Sequence, residues 1–200
     1  MVALTGLGLS AAAGLNAYIP FLVMALLARF TTVVVLPPGF EWMTSWWALG
    51  IGALLLASDV LLDKIPAVDS LNDAVQTVLR PATGGLVFAA SQAAAQLEHS
   101  TWMGEHPWVG VLAGVVVAAL VHSVKATARP VVNVATGGLG GPVVSAAEDG
   151  VSLGVSVVAV LVPVLVVLVM VAMVAAGVWV LRRRAARRRA AQQPPQGTSS

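Results

Sequence analysis

The chain contains no cysteine and very few charged residues. The absence of cysteine excludes disulfide bonds and thiolate chemistry. Charged residues make up 10% of the sequence and hydrophobic residues 58%, whereas a soluble domain carries about 25% charged residues. The sequence also has no His-Glu-x-x-His motif, no Gly-x-Ser-x-Gly elbow and no complete phosphate-binding loop. We therefore predict an integral membrane protein without a cofactor or a metal ion, and the motifs indicate no enzyme class.

The basic residues are concentrated at the end of the chain. Six of the eleven lysines and arginines are the arginines at 182–184 and 187–189. They directly follow a long apolar segment, which is typical of the cytoplasmic end of a membrane span. We predict one transmembrane domain over residues 1–181 and a basic, then disordered, cytoplasmic tail over residues 182–200. Because a membrane explains the arginines, the lipid bilayer rather than a nucleic acid is the expected partner.

Long apolar segments predict an all-α fold, a polytopic membrane helix bundle with about five transmembrane helices. Each segment is at least as long as the ~20 residues that cross the hydrocarbon core of a membrane. The predicted spans are residues 2–28, 46–66, 70–97, 107–128 and 150–181. Residues 130–150 are rich in glycine, so we predict a broken or re-entrant segment there. If that segment crossed the membrane completely, the number of spans would be six.

The first predicted span carries a polar interruption. Asn16 and Tyr18 lie near its middle, and Pro20 lacks the backbone donor that a continuous helix needs. One interpretation is a simple proline kink, and the other is a part of a polar site. Small residues such as Gly6 and Gly14 in the same span would let a neighbouring helix approach closely.

The predicted topology places the charged residues of the bundle on one side. With a cytoplasmic tail and five spans, the chain start and the bends near Pro66 and residues 129–149 share the outer face of the plasma or inner membrane. Ionisable residues at membrane depth usually face a protein interior or water, and they mark a candidate site. The candidate substrate- or ion-binding residues are Asn16, Tyr18, Asp59, Asp63, Lys64, Asp69, Asp73, Arg80, His122, Lys125, Arg129, Asn133, Glu148 and Asp149.

Two relationships are expected inside this candidate site. Arg80 lies roughly 15 Å along its predicted helix, so we expect it to be buried and neutralised by a carboxylate. The carboxylates in reach are Asp69, Asp73 and Glu148. Asp63 ends the second span and Lys125 lies near the end of the fourth, so we expect both residues to belong to one site.

Three functions are compatible with a polar site of this kind. We favour a small transporter or permease with a proton- or cation-coupled site, because interruptions at residues 14–20 and 133–142 resemble the broken helices of transporters. The alternative is a membrane enzyme or carrier that acts on a lipid phosphate held by Arg80, Lys125 and Arg129. A structural or assembly protein without a substrate, in which ion pairs close the helix ends, is the third. The expected ligand is a small solute, an ion or a lipid phosphate.

Several motifs along residues 5–165 resemble a known family. They are Gly14-Leu15-Asn16-Ala17-Tyr18 with Pro20, Asp63-Lys64-Ile65-Pro66 with Asp69, Asp73 and Arg80-Pro81, then Lys125, Arg129 and Asn133, and finally Pro142-Val143-Val144-Ser145 with Glu148-Asp149. These motifs are similar to those of the bacterial membrane proteins described as domain of unknown function 4126. The family often has arginine where Asn16 stands, and Ser-Pro where this chain has Ala135-Thr136-Gly137. The resemblance implies a multi-span membrane protein and supplies no activity.

Overall fold

A computed structural model describes residues 2–63, 66–91, 105–106, 108–135 and 140–168, together with a few positions between residues 171 and 183. For residues 2, 66–71, 73 and 128–135 it describes the backbone alone. The described residues are all-helical, as the sequence predicts, with no strand among them. The α-helices are α1 (Val2–Leu15), α2 (Tyr18–Phe30), α3 (Trp46–Leu62), α4 (Pro66–Ala90), α5 (Trp108–Ala135) and α6 (Gly141–Leu161), and a 3-10 turn covers Glu41–Thr44.

Helix α1 lies in the middle of the bundle. It packs against α4, α5 and α6, while α2 packs against α3 and α6. Leu9 and the three alanines that follow Ser10 are completely buried. A helix that is apolar on all sides is expected inside a bundle rather than at its surface. The chain start therefore forms the core around which the other helices are arranged.

Small residues let the central helices approach closely. A Cβ atom added to Gly14 would lie 2.6 Å from the backbone oxygen of Ala118 in α5. A Cβ atom added to Gly114 in α5 would lie 2.5 Å from the backbone oxygen of Gly84 in α4. Helices of this kind pack backbone to backbone, which a larger side chain would prevent. The predicted close approach at Gly14 is confirmed.

The first predicted span is not one continuous helix. α1 ends at Leu15, and a new helix begins at Tyr18, because the side-chain oxygen of Asn16 accepts the backbone N–H groups of Tyr18 at 2.9 Å and Ile19 at 3.2 Å. This is the hydrogen bonding of a helix N-terminus. Pro20 lies in the first turn of α2, where its missing N–H leaves no helical hydrogen bond unmade. The break is therefore made by Asn16 rather than by Pro20.

The two short helices form a hairpin with Asn16 at its tip. α1 has 14 residues and α2 has 13, so each is about 20 Å long. Leu9 of α1 and Met24 of α2 belong to the same apolar cluster, which shows that α2 returns alongside α1. The prediction that residues 2–28 form one membrane span is wrong, because a hairpin of this length turns back where a span would continue.

The hairpin also changes where the chain starts. Gly6 in α1 lies against Phe88 and Ser91 at the end of α4. Asn16 contacts Asp59 near the end of α3, at the opposite end of the bundle. The prediction that the chain start shares a face with the bend after Asp63 is therefore wrong. The reason is that the chain reverses direction at Asn16, a turn that the predicted topology does not include.

Among the described residues of 130–150 all but Gly140 are helical, so the structure differs from an irregular segment over this whole range. α5 continues to Ala135, and α6 begins at Gly141 with Pro142 as its second residue. Proline is favoured at this place because the first N–H groups of a helix have no partner inside it. Glu148 and Asp149 lie inside α6 rather than before it, and the re-entrant course of this segment stays a prediction.

The last predicted span is divided at Pro163, and its helix begins earlier than the sequence indicates. α6 ends at Leu161, and Val162 leaves the helical conformation with φ −138° and ψ 68° directly before Pro163. The residue before a proline is pushed out of the helical region by the proline ring. Val166 then packs against Gly8, next to Ala159 of α6. Residues 164–168 are helical again, so Pro163 interrupts the helical segment rather than ending it.

Two helical stretches of the described residues are long and apolar enough to cross a membrane, Trp108–Thr127 and Gly141–Leu161. Only 28% of each stretch is buried inside the protein, so most of its apolar surface faces outward. Three further apolar helices are shorter, Ala3–Leu15, Tyr18–Phe30 and Trp46–Leu62. The number of membrane spans stays a prediction.

Candidate functional site

A buried aspartate is the centre of the polar end of the bundle. The side chain of Asp59 is 3% exposed. Its Oδ1 accepts hydrogen bonds from Asn72 Nδ2 at 2.6 Å and Gln76 Nε2 at 2.8 Å, and its Oδ2 accepts one from Asn16 Nδ2 at 3.1 Å. Three neutral amide groups from the helix break and from α4 therefore surround this carboxylate.

The same amides connect Asp59 to two further carboxylates. Asn16 Nδ2 also donates to Asp149 Oδ1 at 2.8 Å. Asn72 Nδ2 also donates to Asp63 Oδ1 at 2.9 Å. The hydroxyl of Ser145 in α6 donates to the other oxygen of Asp63. We call this set the carboxylate network: Asp59, Asp63 and Asp149 with Asn16, Asn72, Gln76 and Ser145.

Helical spacing explains why these side chains meet. Asp59 and Asp63 are four residues apart at the end of α3, and Asn72 and Gln76 are four residues apart near the start of α4. Residues at this spacing lie on one face of a helix. Two carboxylates on α3 therefore face two amides on α4. Asn16 joins them because its oxygen caps α2, which leaves its amide nitrogen to point at the carboxylates.

A second polar group lies on the side of α5. Lys125 Nζ lies 2.8 Å from Glu148 Oε2, and these side chains are 3% and 15% exposed. Lys125 Nζ also donates to the backbone oxygen of Leu15 at 3.0 Å. Leu15 is the last residue of α1, where backbone oxygens lack helical donors and a positive charge is favourable. Lys125 therefore ties the end of α1 to α5 and α6.

Arg80 contacts His122 in the interior. Arg80 is completely buried, and its Nη1 lies 3.0 Å from His122 Nδ1. A guanidinium can only donate hydrogen bonds, so Nδ1 accepts. The ring proton then lies on Nε2, which donates to Thr77 Oγ1 at 3.1 Å. His122 is therefore a neutral imidazole in this arrangement.

The carboxylate network and the Lys125 group differ in how their charges are compensated. Among the side chains that the structure describes, Asp59 and Asp149 make hydrogen bonds to amides and form no ion pair. Gln76 is completely buried, and its Oε1 has no hydrogen-bond partner. An acceptor buried in this way costs about 1–3 kcal/mol unless a donor reaches it. The network thus holds negative charge next to Gln76 Oε1, which can accept a hydrogen bond.

Most of the candidate residues come together at this end of the bundle. Nine of them make polar contacts in three groups: Asn16, Tyr18, Asp59, Asp63 and Asp149 in or beside the carboxylate network, Lys125 with Glu148, and Arg80 with His122. Tyr18 joins through its hydroxyl, which accepts a hydrogen bond from Gln76 Nε2 at 3.3 Å. Lys64 lies outside the described residues, and only the backbone is described for Asp69, Asp73, Arg129 and Asn133.

The structure adds partners that the candidate set omits. Asn72, Gln76 and Ser145 donate to the carboxylates, and none of them stands out in the sequence as a charged residue does. The available signal was spacing, since Asn72 and Gln76 repeat the interval that separates Asp59 from Asp63. The predicted burial of Arg80 is confirmed. Its predicted carboxylate partners at residues 69 and 73 stay predictions, because those side chains are outside the described part of the protein.

A divalent metal site finds no support in this geometry. In the part of the chain that the structure describes, no three histidine, aspartate or glutamate side chains are arranged to hold a metal ion. The amide nitrogens lie between the carboxylates and keep them apart. Carboxylates and amides in contact can exchange protons and hydrogen-bonding ligands.

Comparison with known proteins places the chain in a family. Residues 3–183 match the family described as "Domain of unknown function (DUF4126)". No curated protein and no solved structure matches the chain. The match covers nearly the whole chain and agrees with the motifs around Asn16, Asp63 and Glu148. The protein therefore belongs to the family of the domain of unknown function DUF4126.

Proposed function

We propose that the protein is a small membrane transporter or permease in which the carboxylate network takes up a proton that is coupled to the passage of a solute. The observation that carries this proposal is the environment of Asp59. Its carboxylate is 3% exposed and contacts three amides, without an ion pair among the described side chains. Buried ionisable groups in a membrane protein are functional sites by default.

A membrane location is supported by the surface of the bundle. Large apolar side chains are exposed on several helices, among them Leu54 and Leu61 in α3 and Leu120 in α5. Extended apolar surface of this kind is costly in water and is suited to lipid. In our proposal α3 to α6 cross the membrane, the α1–α2 hairpin enters it, and the arginine-rich tail is cytoplasmic. The membrane would be the bacterial inner membrane.

The same geometry weakens the other two functions. A lipid phosphate would need accessible cations, but Lys125 is held by Glu148 and Arg80 is completely buried against His122. A purely structural network would pair each buried acid with a cation, because an uncompensated buried charge is destabilising by several kcal/mol. Asp59 departs from that pattern. The proton-coupled transporter explains this departure, and the alternatives do not.

Solute-driven proton movement in vesicles tests the proposal. Everted membrane vesicles that contain the protein would be energised to build a pH gradient, and small solutes would be added one at a time. We expect at least one solute to dissipate the gradient with the wild-type protein. Asp59→Asn should abolish this response, because asparagine keeps the size of the side chain and cannot exchange the proton.

A remote carboxylate supplies the matched control. Glu41 lies in the exposed 3-10 turn, where it accepts the backbone N–H of Gly39. Glu41→Gln removes one negative charge far from the network and should leave the response unchanged. A response in Asp59→Asn equal to that of the wild type, or no response to any solute beyond that of vesicles without the protein, would contradict the proposal.

A further inference from the structure

An aromatic cavity lies beside the carboxylate network. Its volume is about 220 Å³, it lies between α2, α3, α4 and the 3-10 turn, and it is open on the side where Trp47 and Ile51 are exposed. Its lining residues are Ala17, Tyr18, Phe21, Trp42, Trp47, Ala48, Ile51, Gly52, Leu55, Leu79 and Thr83. Four of these residues are aromatic, and the wall is almost entirely apolar. An engineered apolar cavity of about 150 Å³ holds benzene, so this cavity can hold a molecule with one aromatic ring and a small additional group.

Tyr18 connects the cavity to the network. It lines the cavity, and its hydroxyl accepts a hydrogen bond from Gln76 Nε2 at 3.3 Å. The same nitrogen donates to Asp59 Oδ1 at 2.8 Å. Asp59 is therefore two hydrogen bonds from the cavity wall. An acid without an ion pair thus lies directly behind an aromatic surface.

The aromatic side chains of the cavity wall contact one another. Trp42 and Trp47 stack with ring centroids 5.9 Å apart and an angle of 15°, and Phe21 lies 6.1 Å from Trp42. The faces of aromatic rings attract cations such as quaternary ammonium groups. The charge of Asp59 acts in the same direction. A neutral lipid chain would gain nothing from either feature.

We propose that this cavity binds a small organic cation, an ammonium compound with about one aromatic or alkyl group. As the solute of the transporter, this cation rests on the proposed function, but its binding can be measured without transport. The unpartnered Oε1 of Gln76 gives the link between the two sites. When Asp59 is protonated, its hydroxyl can donate to Oε1 once the Gln76 amide turns over.

Turning of the Gln76 amide makes proton and cation compete. The turned amide presents its oxygen, rather than its nitrogen, to Asp59 and to the Tyr18 hydroxyl. Tyr18 then donates a hydrogen bond where it previously accepted one, and the negative charge behind the cavity is gone. A cation should therefore bind more weakly when Asp59 carries a proton, which is the exchange that a coupled transporter needs.

Binding of a cation and of its uncharged analogue tests the inference. The probes are benzyltrimethylammonium and neopentylbenzene, which have the same shape and differ in charge. Binding to the purified full-length protein would be measured by calorimetry, with quenching of tryptophan fluorescence as a second readout. We expect the cation to bind about tenfold more tightly than the uncharged analogue, which is within the range of cation–π attraction at partly desolvated sites.

Variants locate the site. Trp42→Leu should lower the affinity for the cation about tenfold, and Asp59→Asn should lower it without changing the affinity for neopentylbenzene. Trp108 is exposed at the start of α5 and does not line the cavity, so Trp108→Leu is the matched control and should change neither affinity. Equal binding of the two probes would identify an apolar groove that lipid fills, and it would overturn the inference, as would no binding of the cation.

The two proposals can fail separately. Cation binding without proton-coupled movement in vesicles would contradict the transporter and leave the cation site standing. A pH response to an uncharged or anionic solute, together with no cation binding, would overturn the cation site and leave the transporter standing.

Discussion

Two buried charges in this bundle are held in different ways. Asp59 is surrounded by amide groups, whereas Lys125 is held by the carboxylate of Glu148 and by the backbone oxygen of Leu15. An ion pair fixes the charge of both partners, since removing either one leaves the other uncompensated. An amide can turn its nitrogen or its oxygen towards a carboxyl group, so an amide shell accepts either charge state. We therefore propose a structural role for Lys125 and a functional role for Asp59.

The largest expected effect comes from breaking the ion pair. Lys125→Met removes the cation that lies 2.8 Å from Glu148 and the donor at the end of α1. Loss of one partner of a buried ion pair typically lowers the free energy of unfolding by about 3–5 kcal/mol. Thermal or denaturant unfolding of the purified protein in detergent would measure this loss.

A double change separates charge from packing in this pair. Lys125→Met with Glu148→Gln removes both charges, so it should recover part of the stability that Lys125→Met loses. If Lys125→Met alone melts at the wild-type temperature, the charge of Glu148 is compensated by solvent, and the contrast with Asp59 disappears.

An intermediate effect is expected at the tip of the hairpin. Asn16→Ala removes the cap of α2 and the amide that joins Asp59 to Asp149. Loss of an N-cap costs about 0.5–2 kcal/mol, and loss of a buried hydrogen bond to a charged group about 1.5–3 kcal/mol. We expect the free energy of unfolding to fall by about 2–5 kcal/mol in total, again measured by unfolding in detergent.

Asn16→Ser separates the two roles of Asn16, which are the cap of α2 and the amide bridge between Asp59 and Asp149. Asn16→Ser keeps an oxygen that can cap α2 and loses the bridging amide, so its stability should lie between those of the wild type and Asn16→Ala. If Asn16→Ser and Asn16→Ala are equally unstable, the cap contributes little and the hairpin is held by its apolar contacts alone.

The parts of this site also differ in how much of their structure can be predicted from the sequence. The shared face of Asp59 and Asp63 follows from their spacing, and the predicted start of the second span at residue 46 agrees with the start of α3 at Trp46. The amides could not be chosen in the same way. A helical asparagine or glutamine looks the same in sequence whether it faces solvent or a buried acid. The packing of α3 against α4 determines which of these two environments the side chain has.

The two breaks in the helical pattern show the same limit. The polar residue Asn16 and the nearby Pro20 indicate an interruption, but the reversal of direction depends on tertiary packing, in which Leu9 and Met24 join one apolar cluster. Near residue 140 the glycines suggest a long irregular segment, yet α5 and α6 extend into it from both sides. Local propensity gives the position of a break, and tertiary packing gives its length and its direction.

The smallest expected effect on stability is that of Asp59→Asn, although it should abolish function. Asparagine fills the same space and removes a buried charge that has no ion pair among the described side chains. Its new N–H₂ group meets amide donors, but Gln76 can turn so that its unpartnered Oε1 accepts from it. We expect the free energy of unfolding to change by less than about 1 kcal/mol.

Measuring the free energy of unfolding of Asp59→Asn and of Lys125→Met under identical conditions tests whether Asp59 and Lys125 have different roles. Gln76→Leu in the Asp59→Asn background removes the acceptor that rescues the new amide. That double variant should lose more stability than the sum of the losses of the two single variants, since the two side chains are in contact. If Asp59→Asn alone is as destabilising as Lys125→Met, the negative charge of Asp59 is a structural requirement. A group whose charge the fold cannot lose cannot exchange a proton during transport, and both the carrier role of Asp59 and its competition with a bound cation would then be wrong.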